Sequence, residues 1–96
     1  MAKKLGGEEI KTWVASQSGW KYKGNAIRKE YKFPSFRDSI VFVNRIASIA
    51  DDLNHHPDID VRYDKVVLTI TTHDSGGVTE KDLSLAGKID FATSAR

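Results

Sequence analysis

The stretch Ile59-Asp60-Val61-Arg62-Tyr63-Asp64-Lys65-Val66-Val67-Leu68-Thr69-Ile70 decides how this chain is built. Ile59, Val61 and Tyr63 alternate with Asp60 and Arg62, while Val66, Leu68 and Ile70 alternate with Val67, Thr69 and Thr71. A period of two marks a strand with one buried face. With Asp64-Lys65 as a two-residue turn, Tyr63 pairs with Val66, Val61 with Leu68 and Ile59 with Ile70. That register gathers all six apolar side chains on one face. Asp-Lys is not a favoured turn pair, so a longer loop would shift the pairing. Extended past the strand ends, the same register sets His56 opposite His73.

Upstream, a second hairpin is expected from Trp20–Tyr22 and Ala26–Phe33, joined by Lys23-Gly24-Asn25, where Gly and Asn tolerate positive φ. Ile27, Tyr31 and Phe33 share one face and Arg28, Glu30 and Lys32 the other. Lys29 interrupts the apolar row. The basic residues from Lys21 to Lys32 read as a solvated strand face.

Three helices complete the pattern. Glu8 to Ser18 carries Ile10, Trp13 and Val14 on one face, has acidic residues in its first turn, and stops at Gly19. A central helix over Phe36–Leu53 follows Pro34, with Ser35 as N-cap and Asp38 three residues on. Its apolar residues form two stripes: Phe36, Ile40, Val43, Ala47 and Ala50, and beside them Phe42, Ile46, Ile49 and Leu53. Such an arc is wider than one sheet contact requires, so one stripe is expected to meet the sheet and the other a second subunit. The last helix begins at Val78-Thr79, where Thr79 and Asp82 have capping-box spacing and Val78 and Leu83 that of a hydrophobic staple. Leu83, Leu85, Ala86, Ile89 and Phe91 are its expected buried face. The order α-β-β-α-β-β-α, with the strands in two hairpins, implies an α+β fold: a four-stranded antiparallel sheet covered by three helices.

The 96 residues are enough for one domain, and a core of that size gains from burial between subunits. There is no cysteine, so neither disulfides nor thiolate metal sites contribute. A net charge of +2, with Lys and Arg interspersed among Asp and Glu, gives no reason to expect direct nucleic-acid binding. No apolar stretch suits a membrane span and the first residues lack a secretory h-region, so no membrane association and a cytoplasmic location are expected.

All three histidines fall in two short segments, Asn54-His55-His56-Pro57 and Thr72-His73-Asp74. Imidazole exchanges protons near neutral pH. Pro57 restricts His56 to extended or turn geometry, and the irregular backbone between helix and strand could aim both rings at one cleft. Asp51, Asp52, Asp74 and Asp82 lie near enough in sequence to orient a ring. Three clustered histidines can also hold catalytic zinc, but the i, i+4 spacing of ligands on one element is absent. A purely structural role, with His55 closing the helix end and the others in loops, is the remaining reading. Concentration of every histidine in one corner favours metal-free acid–base chemistry.

Asn54-His55-His56-Pro57, Tyr63, Thr72-His73-Asp74, Gly76-Gly77 and Thr79-Glu80-Lys81-Asp82 together resemble the signature of the pterin-4a-carbinolamine dehydratases. The resemblance covers most of the chain from Trp20 onwards and agrees with the α+β order. It implies a single dehydratase-like domain over residues 1–96 and a hydro-lyase of tetrahydrobiopterin recycling. Such an enzyme removes water from a 4a-hydroxytetrahydropterin to give quinonoid dihydropterin, with neither metal nor organic cofactor. By the same resemblance His55, His56 and His73 are the catalytic residues. His56 and His73 would transfer protons, while His55 binds the substrate or shares that task. Asp82, Asp74 and Thr72 would contact the substrate. Ile59 stands where some members carry an aromatic, which removes any stacking from that position. The resemblance further implies a homodimer or homotetramer packed through the central helix, by the stripe of Phe42, Ile46, Ile49 and Leu53. The alternative it leaves open is a non-catalytic dimerisation or transcriptional coactivator module.

Overall fold

The computed structural model of the chain describes residues 3–94. Two hairpins share a sheet whose centre is made by their inner strands. The elements are α1 (Gly7–Ala15), β1 (Lys21–Lys23), β2 (Ala26–Lys32), α2 (Phe36–Leu53), β3 (Asp58–Arg62), β4 (Lys65–Ile70), a 3-10 turn (His73–Ser75) and α3 (Glu80–Ser94). The sheet runs β1-β2-β4-β3 with every pair antiparallel. Ile27 faces Ile70 and Tyr31 faces Val66 across its middle. These side chains, with Leu68, are buried, while Arg28, Glu30 and Lys32 on the opposite face of β2 are exposed or nearly so. The α+β order read from the sequence is the order observed.

The β3–β4 hairpin forms, but its register is two residues away from the expected one. Val61 faces Val66 and Ile59 faces Leu68, so Tyr63-Asp64 is the turn, not Asp64-Lys65. Tyr63 takes a positive φ of 54°, the local twist that a two-residue hairpin loop demands. Asp64 is fastened to the end of β2: Phe33 N–H donates to its carbonyl at 2.8 Å and Lys32 Nζ to its carboxylate at 2.6 Å. That Lys32 bond holds the Asp64 carboxyl below the ordinary carboxylate range. A slip of two residues returns every side chain to the same face, so the apolar pattern alone could not separate the two registers.

Ser35 caps α2 as expected, its hydroxyl accepting from Asp38 N–H at 3.2 Å. The stripe expected to meet a second subunit is the one that packs more fully into the monomer core. Phe42 and Ile46 are buried at 4% and 1% exposure, with Ser39 and Ala50 in line, and Ile49 and Leu53 pack against the same core. In the other stripe Phe36 is 51% exposed and Ala47 is exposed, while Val43 packs against the core and Ala50 is buried. Phe42 and Ile46 are thus taken up by the monomer core, and Ile49 and Leu53 are half-buried against it.

α1 ends at Ala15, before the expected Ser18, because the Ser16 hydroxyl turns back onto the Trp13 carbonyl at 2.7 Å. On α3, Leu85, Ala86 and Ile89 are buried as expected, but Phe91 points out at 77% exposure, two residues off that face. No helix among the described residues is long and apolar enough to cross a membrane.

Lys29, the break in the apolar row, turns inward. Its ammonium lies 4.8 Å from the Tyr31 ring centroid and 2.9 Å from Asp90 on α3. The same carboxylate accepts from Trp20 Nε1 at 2.7 Å and Tyr31 hydroxyl at 2.6 Å. Tyr31 in turn packs on Phe42, with centroids 4.7 Å apart. Burial, then the hydrogen bond to Asp90 and the charge on it, pushes the Tyr31 phenol far above its ordinary 10.0. The folded state favours the neutral phenol, so this stabilisation is complete below about pH 10 and is lost as pH rises further. Tyr31→Phe is expected to lower the unfolding free energy by about 1–2 kcal/mol at neutral pH. In denaturant titrations the gap from the unmodified protein should narrow above about pH 10; a gap that stays constant to about pH 11 contradicts the assignment.

Candidate active site

The end of α2 delivers the first two histidines. Asn54 takes the left-handed conformation, φ 51°, that commonly closes a helix, and its N–H bonds back to the Asp51 carbonyl at 3.2 Å. His55 N–H reaches Ala50 carbonyl at 3.1 Å. The chain thereby leaves the helix axis at His55 and enters β3 only at Asp58, with Pro57 keeping His56 out of the helical region. His73 arrives from the far side, in the 3-10 turn that follows β4. Thr72, just before it, bridges to Gly77: its N–H donates to the Gly77 carbonyl at 3.0 Å.

His55, His56 and His73 line one cleft of about 360 Å³, together with Thr72 and Asp74. Asn54, Thr71 and Lys81 complete its rim. The expectation that the fold returns His56 and His73 to the same end of the sheet is met, though not by direct opposition. The observed register, extended, would put His56 against Thr71 and His73 against Asn54.

The three rings differ in their surroundings. The His55 side chain is largely buried, and its Nε2 lies 2.5 Å from Oδ1 of Asp82. Asp82 is fully buried, with Oδ2 accepting from the Thr72 hydroxyl at 2.8 Å and the Thr79 N–H at 2.7 Å. The hydroxyls of Thr72 and Thr79 are 2.9 Å apart, and Thr79 Oγ1 accepts the Lys81 N–H at 3.2 Å. The capping spacing of Thr79 and Asp82 is thus realised, but the threonine serves Lys81 while the aspartate serves both the helix start and the histidine. An ionised Asp82 can only accept, so in that state Nε2 of His55 is the donor in this contact and Nδ1 is the ring nitrogen not bonded to Asp82. His56 is solvent-exposed and pairs with Asp51, Nε2 to Oδ1 2.9 Å. His73 and Asp74 are exposed at the cleft.

Two of the expected substrate contacts change character. Asp82 is fully buried and meets the cleft lining through His55 and Thr72. Thr72 is nearly buried and its hydroxyl is committed to Asp82, so it forms part of the wall. Lys81 was not singled out from the sequence, and its position beside Asp82 on the first turn of α3 was the available signal. Among the described residues no three His, Cys, Asp or Glu side chains are grouped to hold a metal ion. A larger groove of about 810 Å³ runs between α1 and α3, lined by Glu8, Glu9, Trp13 and Glu80. It offers carboxylates without a proton-exchanging partner, so the chemistry points to the smaller cleft.

Fold and cleft together define an α+β protein with an imidazole–carboxylate site at one end of an antiparallel sheet. The chain belongs to the pterin 4 alpha carbinolamine dehydratase family, whose profile matches residues 3–92. It is 46% identical over 88 residues to a protein of Sulfurisphaera tokodaii, covering 92% of this chain and 95% of that one. It is 48% identical over 90 residues to one of Roseiflexus sp. strain RS-1, covering 94% and 97%. Both are provisionally named pterin-4-alpha-carbinolamine dehydratase. Among solved structures, a transcriptional coactivator/pterin dehydratase from Brucella melitensis superposes with a TM-score of 0.87 at 31% identity, over 92% of this chain and 96% of that one. A pterin dehydratase-like RuBisCO assembly factor of the alpha-carboxysome shares the fold, with a TM-score of 0.60 at 21% identity over 74% and 82% of the two chains.

Asp82 supports both the site and the start of α3, whereas Asp74 only borders the cleft. Asp82→Ala is expected to cost about 3 kcal/mol or more, since it strands buried donors, and Asp74→Ala less than about 0.5 kcal/mol. Equal losses for the two variants in chemical denaturation would contradict this division.

Proposed function

We propose that the chain is a hydro-lyase acting on 4a-hydroxytetrahydropterins, a cytoplasmic enzyme of tetrahydrobiopterin recycling. The observation that carries the reading is the convergence of all three imidazoles on one cleft, one of them held by a buried carboxylate. Family membership supplies the substrate class.

In this reading the pterin ring lies among the imidazoles. The N5 lone pair forms the C4a=N5 bond as the C4a–O bond breaks. The N5 proton goes to one imidazole, and a second imidazolium protonates the departing hydroxyl, so that water leaves. No electrons are gained or lost overall. His56 and His73 are the exposed rings and take the two proton transfers. His55, fixed in orientation through Nε2 by Asp82, directs Nδ1 towards the ring and binds it. Asp82 and Thr72 act as positioning residues behind it, and Asp74 is the carboxylate left to accept from the pterin's own N–H groups. Asp51 fixes His56 as Asp82 fixes His55, more loosely because that pair is in solvent.

Self-association through α2 belongs to the same proposal, now by the outward stripe of Phe36, Ile40 and Ala47. A non-catalytic interaction module would use that stripe too, and the assay below separates the readings.

Decay of enzymatically generated 4a-hydroxytetrahydropterin, followed with and without protein, is expected to be accelerated by the unmodified chain. His56→Ala and His73→Ala should each lose about 10²-fold or more of that acceleration. Losses of no more than about twofold in both variants would remove the acid–base assignment.

A further inference from the structure

The groove of about 810 Å³ between α1 and α3 takes no part in the proposed reaction. Leu5, Trp13 and Leu83 give it apolar surface; each packs against the core and is only half-buried. Glu8, Glu9 and Glu80 stand exposed along it, and no Lys or Arg among the described residues lines it. In a chain of net charge +2 this is a local reversal of sign. Glu8 and Glu9 lie in the first turn of α1 and Glu80 in that of α3. Carboxylates at those positions suit the helix dipoles, but each helix start supplies only about half a positive charge, so the groove stays negative. Glu9 is also engaged, accepting the Gly6 N–H at 3.3 Å. The Glu8 and Glu80 side chains make no hydrogen bond or ion pair with the described residues.

Covering the apolar surface calls for apolar side chains, and the carboxylates beside it call for cations. The groove runs between the flanks of two helices, whose backbone groups are already paired, so an extended strand would gain no main-chain bonds there. A helix, in contrast, brings side chains at i, i+3, i+4 and i+7 to one face, and α1 with its nine residues offers it a length of about 14 Å. We propose that the α1–α3 groove docks a basic amphipathic helix of a partner protein. Its leucine-like side chains cover Leu5, Trp13 and Leu83, and its lysines or arginines lie beside Glu8 and Glu80. The same carboxylates repel anionic partners, nucleic acid and acidic membranes included. This docking needs nothing from the histidine cleft and stands apart from the dehydratase reading.

Nuclear magnetic resonance titration of the full chain with a synthetic leucine–lysine amphipathic helix of about twelve residues tests this. The amide signals of Trp13 and Leu83 are expected to shift along one saturation curve, with those of Val61 and Arg62 on β3 unmoved. Glu8 and Glu80 are exposed, so a variant with both Glu8→Gln and Glu80→Gln keeps the fold. That variant should bind the helix about fivefold more weakly at low salt, and its binding should depend less on salt. A peptide with the same lysines but alanine for every leucine should bind the unmodified chain about tenfold more weakly or worse. Absence of saturable shifts at Trp13 and Leu83 overturns the proposal. A loss within about twofold in the double variant overturns it too, because the carboxylates then select nothing. Equal binding of the alanine peptide overturns it in favour of plain attraction between cations and carboxylates.

Discussion

A buried carboxylate needs partners on all sides, and Asp82 finds them in three different parts of the chain. It binds His55 from the end of α2, Thr72 from beyond β4, and the Thr79 N–H at the entry to α3. An unpaired charge at a fully buried position would cost several kcal/mol, so the network holds together or not at all. The same contacts that make α3 start where it does also set the orientation of the His55 ring. Folding and the geometry of the cleft thus depend on one side chain.

A second carboxylate on the same helix repeats the device at lower depth. Asp90 gathers Trp20, Lys29 and Tyr31, fastening the later part of α3 to β2 and to the aromatic column that continues through Phe42. α3 is therefore tied at two points, one leading to the imidazoles and one to the core. The cleft sits at one end of this frame, with Asn54, His56, His73, Asp74 and Lys81 exposed to solvent. A fixed ring beside two accessible ones is the arrangement expected of a site that holds a flat substrate while moving two protons.

Much of this was legible in the sequence because local chemistry determines it. Ser35 with Asp38 set the start of α2, and the alternation over 59–70 set the faces of the second hairpin. The three histidines were legible as a site because none lies anywhere else. What failed to show depended on distant partners. Nothing near Lys29 announces Asp90, 61 residues away, so an inward lysine read as a flaw in a strand. The register of the hairpin escaped because a two-residue slip preserves every face, and the tie from Lys32 and Phe33 to Asp64 that selects it lies outside the hairpin. The two stripes of α2 were both visible, but periodicity gives the width of an apolar arc and not which half meets the sheet. Asp82 was placed near the histidines by its spacing from Thr79. Its complete burial behind His55 and Thr72 became visible only in three dimensions.

The central claim is that one cleft unites the three imidazoles around a pterin. Nuclear magnetic resonance of the histidine side chains during titration with 7,8-dihydrobiopterin tests it most directly. The account predicts that the signals of His55, His56 and His73 all shift along one saturation curve. Saturable shifts at Trp13 in the α1–α3 groove, with the three histidine signals unmoved, would contradict it.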